Sequence, residues 1–269
     1  MQAATHPPAL LRRLWADAPV LTAVALGLAV TCLPLLAAMA LDGRQFQGES
    51  VWLKPLKFHL ALVIYAGTLA FYARFVPQAV RQGRGWRLMM GAAALAMLAE
   101  VIWIGGAAAA GVASHFNRDN AAMAAIYPLM GVVATVLTAA SAVTGWAIWR
   151  HGRGLDAALR LSLGLGLGLT FGLTLWTAGY MAQSSGHLVG SAVTGARLPL
   201  MGWSREAGDL RVAHFFASHA LHAVPLVGWL VAGRLPDGAA RGVVWLAALA
   251  YVALVAAVWA QAVAGDPLF

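Results

Sequence analysis

The sequence predicts an all-α integral membrane protein: a bundle of seven transmembrane helices forming a single domain over 1–269. The first observation behind this is compositional. Hydrophobic residues make up 61% of the chain and charged residues only 10%, far too little polar surface to cover a water-soluble globule of 269 residues. The second is length. The stretches 19–41, 52–76, 87–111, 121–149, 158–182, 211–233 and 241–264 are each apolar and long enough to cross about 30 Å of hydrocarbon at 1.5 Å per residue. The third is that the basic residues lie between these runs, where they orient a chain in a lipid bilayer. A formal charge of +8 would suggest nucleic acid in a soluble protein; here no nucleic-acid partner is expected.

The first run begins after Arg12-Arg13 and ends near Ala38-Met39-Ala40, which gives it the outline of a secretory signal. Its apolar core is longer than a signal needs, so it reads as a retained helix. Cys32 lies inside it and is the only cysteine, so one copy builds neither a disulfide framework nor a cysteine metal cluster. The fifth run carries Gly164, Gly168 and Gly172 at four-residue spacing, a small-residue face that predicts tight helix packing. The longest connections are 42–51 and 183–210, the second rich in Gly, Ser and Pro. The other links are short, which makes sequential neighbours antiparallel.

Charge sets the orientation. Arg12, Arg13, Arg74, Arg81, Arg84, Arg87, Arg150, Arg153, Arg160, Arg234 and Arg241 fall on the side of the N-terminus, against Asp17, Asp156 and Asp237. The opposite side receives Arg44, Lys54, Lys57, Arg118, Arg197, Arg205 and Arg211, nearly balanced by Asp42, Glu49, Asp119, Glu206, Asp209 and Asp266. The N-terminus is therefore expected in the cytoplasm and Phe269 outside, in a multi-pass protein of the cell inner membrane.

With that topology the polar strings gather on the outer side: Asp42-x-Arg44, Trp52-x-Lys54-Pro55-x-Lys57-Phe58, Ser114-His115-Phe116-Asn117, Gly186-His187-x-Val189-Gly190, Gly202-Trp203-Ser204 and Gly208-Asp209-Leu210-Arg211-x-x-His214. A binding site and a hydrogen-bonded set of loops both produce such an asymmetry. Glu100 stands about ten residues below the outer end of the third run, where an ionised carboxylate costs at least ~2.5 kcal/mol and needs a partner or a proton. A neutral acid bonded to a neighbouring helix would also account for it.

In the sixth run, at 100° per residue, His214, His219 and His222 project at about 0°, 140° and 80°, with Arg211 near 60°. This arc is expected to face the bundle interior, with Leu210, Phe216 and Val224 turned elsewhere. His219 and His222 at i,i+3 suit one metal ion if another helix adds a ligand, although the spacing matches no metal signature. Trp176, Tyr180 and Gln183 form a stripe on the fifth run that His187 would extend, either towards the histidines or as an interfacial belt. Lys54 and Lys57 either snorkel to headgroups or, next to Pro55, hold a fixed geometry.

These strings resemble a family of uncharacterised multi-pass bacterial membrane proteins. Its members carry the same order of Asp-x-Arg, Trp-x-Lys-Pro-x-Lys-Phe, Ser-His-Phe-Asn, Gly-His-x-Val-Gly and Gly-Trp-Ser-x-x-x-Gly-Asp-Leu-Arg-x-x-His-Phe. The likeness spans most of the chain and implies the integrity of the motifs without implying a chemistry. Relatives carry Gln where His222 stands, and Gln ahead of Ser-His-Phe-Asn where this chain has an Ala/Gly stretch. This moves the emphasis to His115, His187, His214 and His219.

Three functions follow. The first is a polar, histidine-rich site in the outer half of the bundle for a metal ion or a non-covalent haem, drawing on Glu100, His115, Asn117, Gln183, His187, Arg211, His214 and His219, with His187, His214 and His219 as metal ligands. Asp42, Arg44, Lys54, Lys57 and Asp209 would support it. The second is a proton- or ion-coupled transporter using Glu100 and the sixth-run histidines, although no inverted repeat relates the halves. The third is a non-catalytic assembly or sensory subunit whose outer loops dock a membrane or periplasmic protein. No Ser/His/Asp order, His-Glu-x-x-His or nucleophile-elbow pattern supports hydrolysis. A reporter fused after Phe269 is expected to be active only when it requires the extracytoplasmic side, and activity confined to the cytoplasm would reverse the orientation.

Overall fold

The computed structural model describes residues 10–117, 121–152 and 154–269. Arg118, Asp119 and Arg153, which entered the charge argument, lie outside them. Among the described residues, seven helices are long and apolar enough to cross a membrane, and the chain is an all-α helical bundle. The contacts divide it into two compact units, 1–140 and 141–269.

The first unit opens with a short helix α1 (Leu10–Asp17), followed by α2 (Pro19–Leu41), a two-stranded turn of β1 (Gln45–Phe46) and β2 (Glu49–Ser50), and α3 (Leu53–Tyr72). A 3-10 turn, Ala73–Phe75, and α4 (Gln78–Arg81) lead into α5 (Arg84–Ala110). Helix α3 packs on both α2 and α5, with Leu21, Ala66, Leu69, Ala93 and Met97 almost fully buried. Helix α6 (Ala121–His151) crosses the division between the units and is the least buried of the seven spans.

The second unit holds α7 (Ala157–Gln183), β3 (Leu188–Val189), β4 (Gly208–Asp209), α8 (Leu210–Val231) and α9 (Asp237–Val263). The helices begin where caps place them, whereas the hydropathy of the sequence marks only their apolar centres. Asp156 caps α7 through the N–H groups of Ala158 and Leu159 and Asp209 caps α8 through that of Arg211, as oxygen acceptors do at free N-termini. Helix α9 starts four residues before its apolar run because Pro236 sets the entry and Asp237 suits a first turn.

The two units repeat one plan. In each, a long helix leads to a loop with a paired pair of short strands, then a helix that starts Leu-(Lys/Arg)-x-x-(Lys/His)-Phe: Leu53-Lys54 to Lys57-Phe58 in α3, and Leu210-Arg211 to His214-Phe215 in α8. The following link then reaches a proline in extended backbone, Pro77 or Pro236, and a third long helix ends within two residues of a left-handed glycine, Gly111 or Gly265. The repeat is faint in the sequence, because its marks are a few polar positions in an apolar background.

Packing in the second unit bears out one expectation in part and corrects another. Small residues do bring α7 close to its neighbours: a Cβ at Gly164 would stand 3.1 Å from Trp149 Cβ, and one at Gly166 would stand 2.5 Å from Pro225 Cδ and 2.9 Å from the Ala220 carbonyl oxygen, whereas a Cβ at Gly168 or Gly172 would meet nothing within 4 Å. In α8 the buried face is Leu210, Ala213, Ala217, Ala220, Leu221, Val224 and Gly228, while His214, His219 and His222 are only half-buried. Leu210 and Val224 therefore belong to the core and do not turn away from it. Lipid is as apolar as leucine, so membrane helices associate through small residues and close contact, and the most polar arc need not mark the most buried face.

Gly166→Val is expected to destabilise the purified protein by about 1–3 kcal/mol, the usual cost of overpacking, lowering its thermal midpoint. Gly168→Val should leave the midpoint near the wild-type value in the same melting series.

Candidate functional site

In the first unit the polar end of the bundle is organised by Asp42. Its carboxylate accepts from Arg44 Nε at 3.0 Å, Arg44 Nη2 at 2.7 Å and Trp52 Nε1 at 2.8 Å. Arg44 Nη1 also donates to the Ala109 carbonyl at the end of α5, 2.9 Å away. The Arg44 guanidinium first, and then the Trp52 indole, hold the Asp42 carboxyl well below the usual carboxylate range. This clasp fixes where Trp52 sits, and Trp52 is the residue from which α3 starts. Pro55 is in the first turn of α3, where its missing N–H is not needed, and its carbonyl accepts from His59 Nδ1 at 2.8 Å.

Helix α5 ends in a Schellman arrangement: the N–H of Gly111 bonds to Ala108 and that of Val112 to Ala107. The following segment folds back, with Trp103 Nε1 donating to the Ser114 carbonyl at 2.8 Å. Phe116 takes φ 59°, a left-handed conformation that costs a non-glycine residue about 1 kcal/mol or more. This presents His115 to α3. His115 Nδ1 lies 3.2 Å from Lys54 Nζ and 3.0 Å from Ser114 Oγ. An ammonium only donates, so Nδ1 accepts and the ring is the Nε2–H tautomer. Phe58 and Tyr127 flank the imidazole at centroid distances of 5.9 and 6.3 Å. Asn117 is buried and donates to the Ala113 carbonyl at 3.1 Å, which makes it part of the turn.

Glu100 lies below this cluster on α5, 3% exposed. Its Oε2 has no hydrogen-bond partner among the described residues, and the positive charge of Lys54 acts on it. Lys54 is exposed and Lys57 half-buried. The first unit thus brings together Glu100, His115, Lys54 and the Asp42–Arg44 clasp.

In the second unit the counterpart clasp is Asp209 with Arg211. Arg211 Nε and Nη2 reach the carboxylate at 2.9 and 2.6 Å, Nη2 also reaches the Gly202 carbonyl at 2.6 Å, and the Ser204 N–H donates to Asp209 at 3.0 Å. Burial by itself would raise the Asp209 pKa, but the hydrogen bond and charge of Arg211, the Ser204 N–H and the charge of His187 outweigh it and hold the group below its ordinary value. Arg211 is therefore spent on the loop and does not join the histidine arc. The backbone carbonyl of His187 receives the Leu210 N–H at 2.9 Å.

The histidines of α8 are tied locally. His219 Nδ1 donates to its own helix at Phe215, 2.7 Å away. Thr177 gives its proton to the Leu173 carbonyl at 2.9 Å, so His214 Nδ1 donates to Thr177 Oγ1 at 3.3 Å. Sequence reasoning missed Thr177, because a threonine in an apolar helix has no spacing that sets it apart. The rings of His219 and His222 lie 5.4 Å apart. Among the described residues no group of three or more His, Cys, Asp or Glu side chains is placed to hold a metal ion. Gln183 is exposed and folds back onto the Gly179 carbonyl. Trp176 and Tyr180 pack on Trp259 of α9 at 5.0 and 5.1 Å.

Compared with known proteins, the chain matches no family model, no curated protein and no solved structure. What the chain does must be argued from the two polar ends themselves.

Because the folded Asp209 pKa is depressed, its stabilisation is complete above the unfolded value of about 4 and is lost as pH falls through the folded value. Asp209→Asn is expected to melt several degrees below wild type at pH 7. The difference should close only below about pH 4 when thermal midpoints are followed against pH.

Proposed function

We propose that this multi-pass membrane protein is an inner-membrane carrier that couples a small anionic solute to protons, with Glu100 as the proton-binding group and Lys54, Lys57 and His115 at the solute entrance. The observation that carries this reading is Glu100: a carboxyl 3% exposed within a membrane span, with one oxygen without a partner among the described residues and the cation of Lys54 acting on it from the mouth of α3. Intramembrane ionisable groups are expensive and mark proton or ion pathways.

The coupling follows from Coulomb's law in a poorly screened environment. An anion seated on Lys54 cancels part of the field that favours the Glu100 carboxylate, so solute and proton bind together. When the solute leaves, the Lys54 charge acts again and the proton follows. The recurrence of one three-helix plan before and after α6 in the chain supports the same reading, because carriers are commonly built from internal repeats. The cytoplasmic N-terminus and bacterial inner-membrane setting expected from charge and from the motif resemblance belong to this proposal.

A metal or haem site has less support. His214 and His219 each commit Nδ1 to a hydrogen bond, on Thr177 or on the helix's own Phe215 carbonyl. That leaves Nε2 as the ligating atom of each, without a three-ligand group around it among the described residues.

The test is proton movement in vesicles. Wild type and Glu100→Gln are reconstituted around a pH-sensitive dye and given gradients of small carboxylates, phosphates, amines and sugars. One anionic class should move protons with wild type and none with Glu100→Gln. Equal movement in both would remove Glu100 from the role, and silence with every class would remove the carrier.

A further inference from the structure

We propose that the first unit holds a second site, on the side of the N-terminus, for the phosphate of an anionic phospholipid. It is independent of the carrier reading. A cavity of about 990 Å³ opens between the start of α2 and the start of α5, within the size range of small-molecule sites.

Its cations divide into two kinds. Arg81 is spent as a brace: Nε donates to the Val76 carbonyl at 2.9 Å, and Nη1 reaches both the carbonyl and the carboxylate of Asp17, each at 2.9 Å. This pins the end of α1 beside the link between α3 and α5. Arg84 and Arg87 line the same cavity, are exposed, and make no side-chain hydrogen bond or ion pair among the described residues.

Their position makes an anion the missing element. Both stand in the first turn of α5, whose N-cap is Gly83 and carries no side-chain acceptor. The free N–H groups and the dipole there already present positive charge, so two arginines are unfavourable unless an anion joins them. The N-cap of α2, Ala18, likewise offers no side-chain bond.

The remaining wall selects the source of the phosphate. Leu21 and Met90 are buried, while Val20 is 44% and Leu88 69% exposed, so an apolar surface continues from the arginines along the spans. A soluble phosphate would leave that surface bare. A phospholipid covers it with an acyl chain while its phosphate meets Arg84 and Arg87 at headgroup depth. Basic pockets of this kind recognise anionic headgroups.

The full chain, stripped of lipid in detergent, is titrated with phosphatidylglycerol, phosphatidylcholine or glycerol phosphate, and retained adducts are counted by native mass spectrometry. Phosphatidylglycerol should bind about thirtyfold more tightly than phosphatidylcholine, the factor expected from two arginines. Glycerol phosphate should not be retained, and the double variant R84Q/R87Q should lose the preference. Equal retention of phosphatidylcholine, binding of glycerol phosphate as tight as the lipid, or an unchanged preference in R84Q/R87Q would overturn the site. The headgroup comparison uses wild type alone, so it stands even if the variant folds poorly.

Discussion

In hydrocarbon a backbone N–H or C=O without a partner costs several kcal/mol, so a chain that crosses lipid must be helical there and can be irregular only where protein or water supplies the missing bonds. The ion pairs that order the loops sit at such helix ends. The two Asp-x-Arg clasps are the main device. Asp42 with Arg44 and Asp209 with Arg211 each pair a carboxylate with a guanidinium two residues on, and each arginine spends a further N–H on a loop or helix-end carbonyl, Ala109 or Gly202. A short charged pair thereby ties a loop to its helices without placing an unpaired charge in the membrane.

The two triplets share that frame but differ in what it presents. In the first, the third helix carries Glu100 three residues before Trp103. In the second, the residue three before Trp259 is Ala256, and α8 carries histidines, of which His214 and His219 bond to nearby atoms. Among the described residues the first unit carries a carboxyl inside its third helix, and the second carries histidines in α8 instead. Gly166 beside Pro225, and Gly228 beside Ser162, are the contacts that let α7 and α8 pack closely.

The seven spans were legible from hydropathy because the solvent itself, lipid, imposes length and apolarity on each run. The polar strings were legible as groups, and those around Asp42, Lys54, His115 and Glu100 do gather at one end of the first unit. Reading them by helical phase alone was less successful. The angle of Arg211 placed it with the histidines, yet a carboxylate two residues away and the Gly202 carbonyl draw it into the loop. Angle also suggested that Leu210 and Val224 would turn away, although both are about 1% exposed.

The sequence by itself determined the class of fold, the number of crossings and the residues that carry charge, since these follow from transfer free energies summed along the chain. Only the tertiary structure decided which charges are consumed by one another, that His219 bonds to its own helix, and that one Glu100 oxygen is left without a partner among the described residues. Those depend on distances between residues far apart in sequence, and an apolar background carries no periodic signal from which such distances can be read.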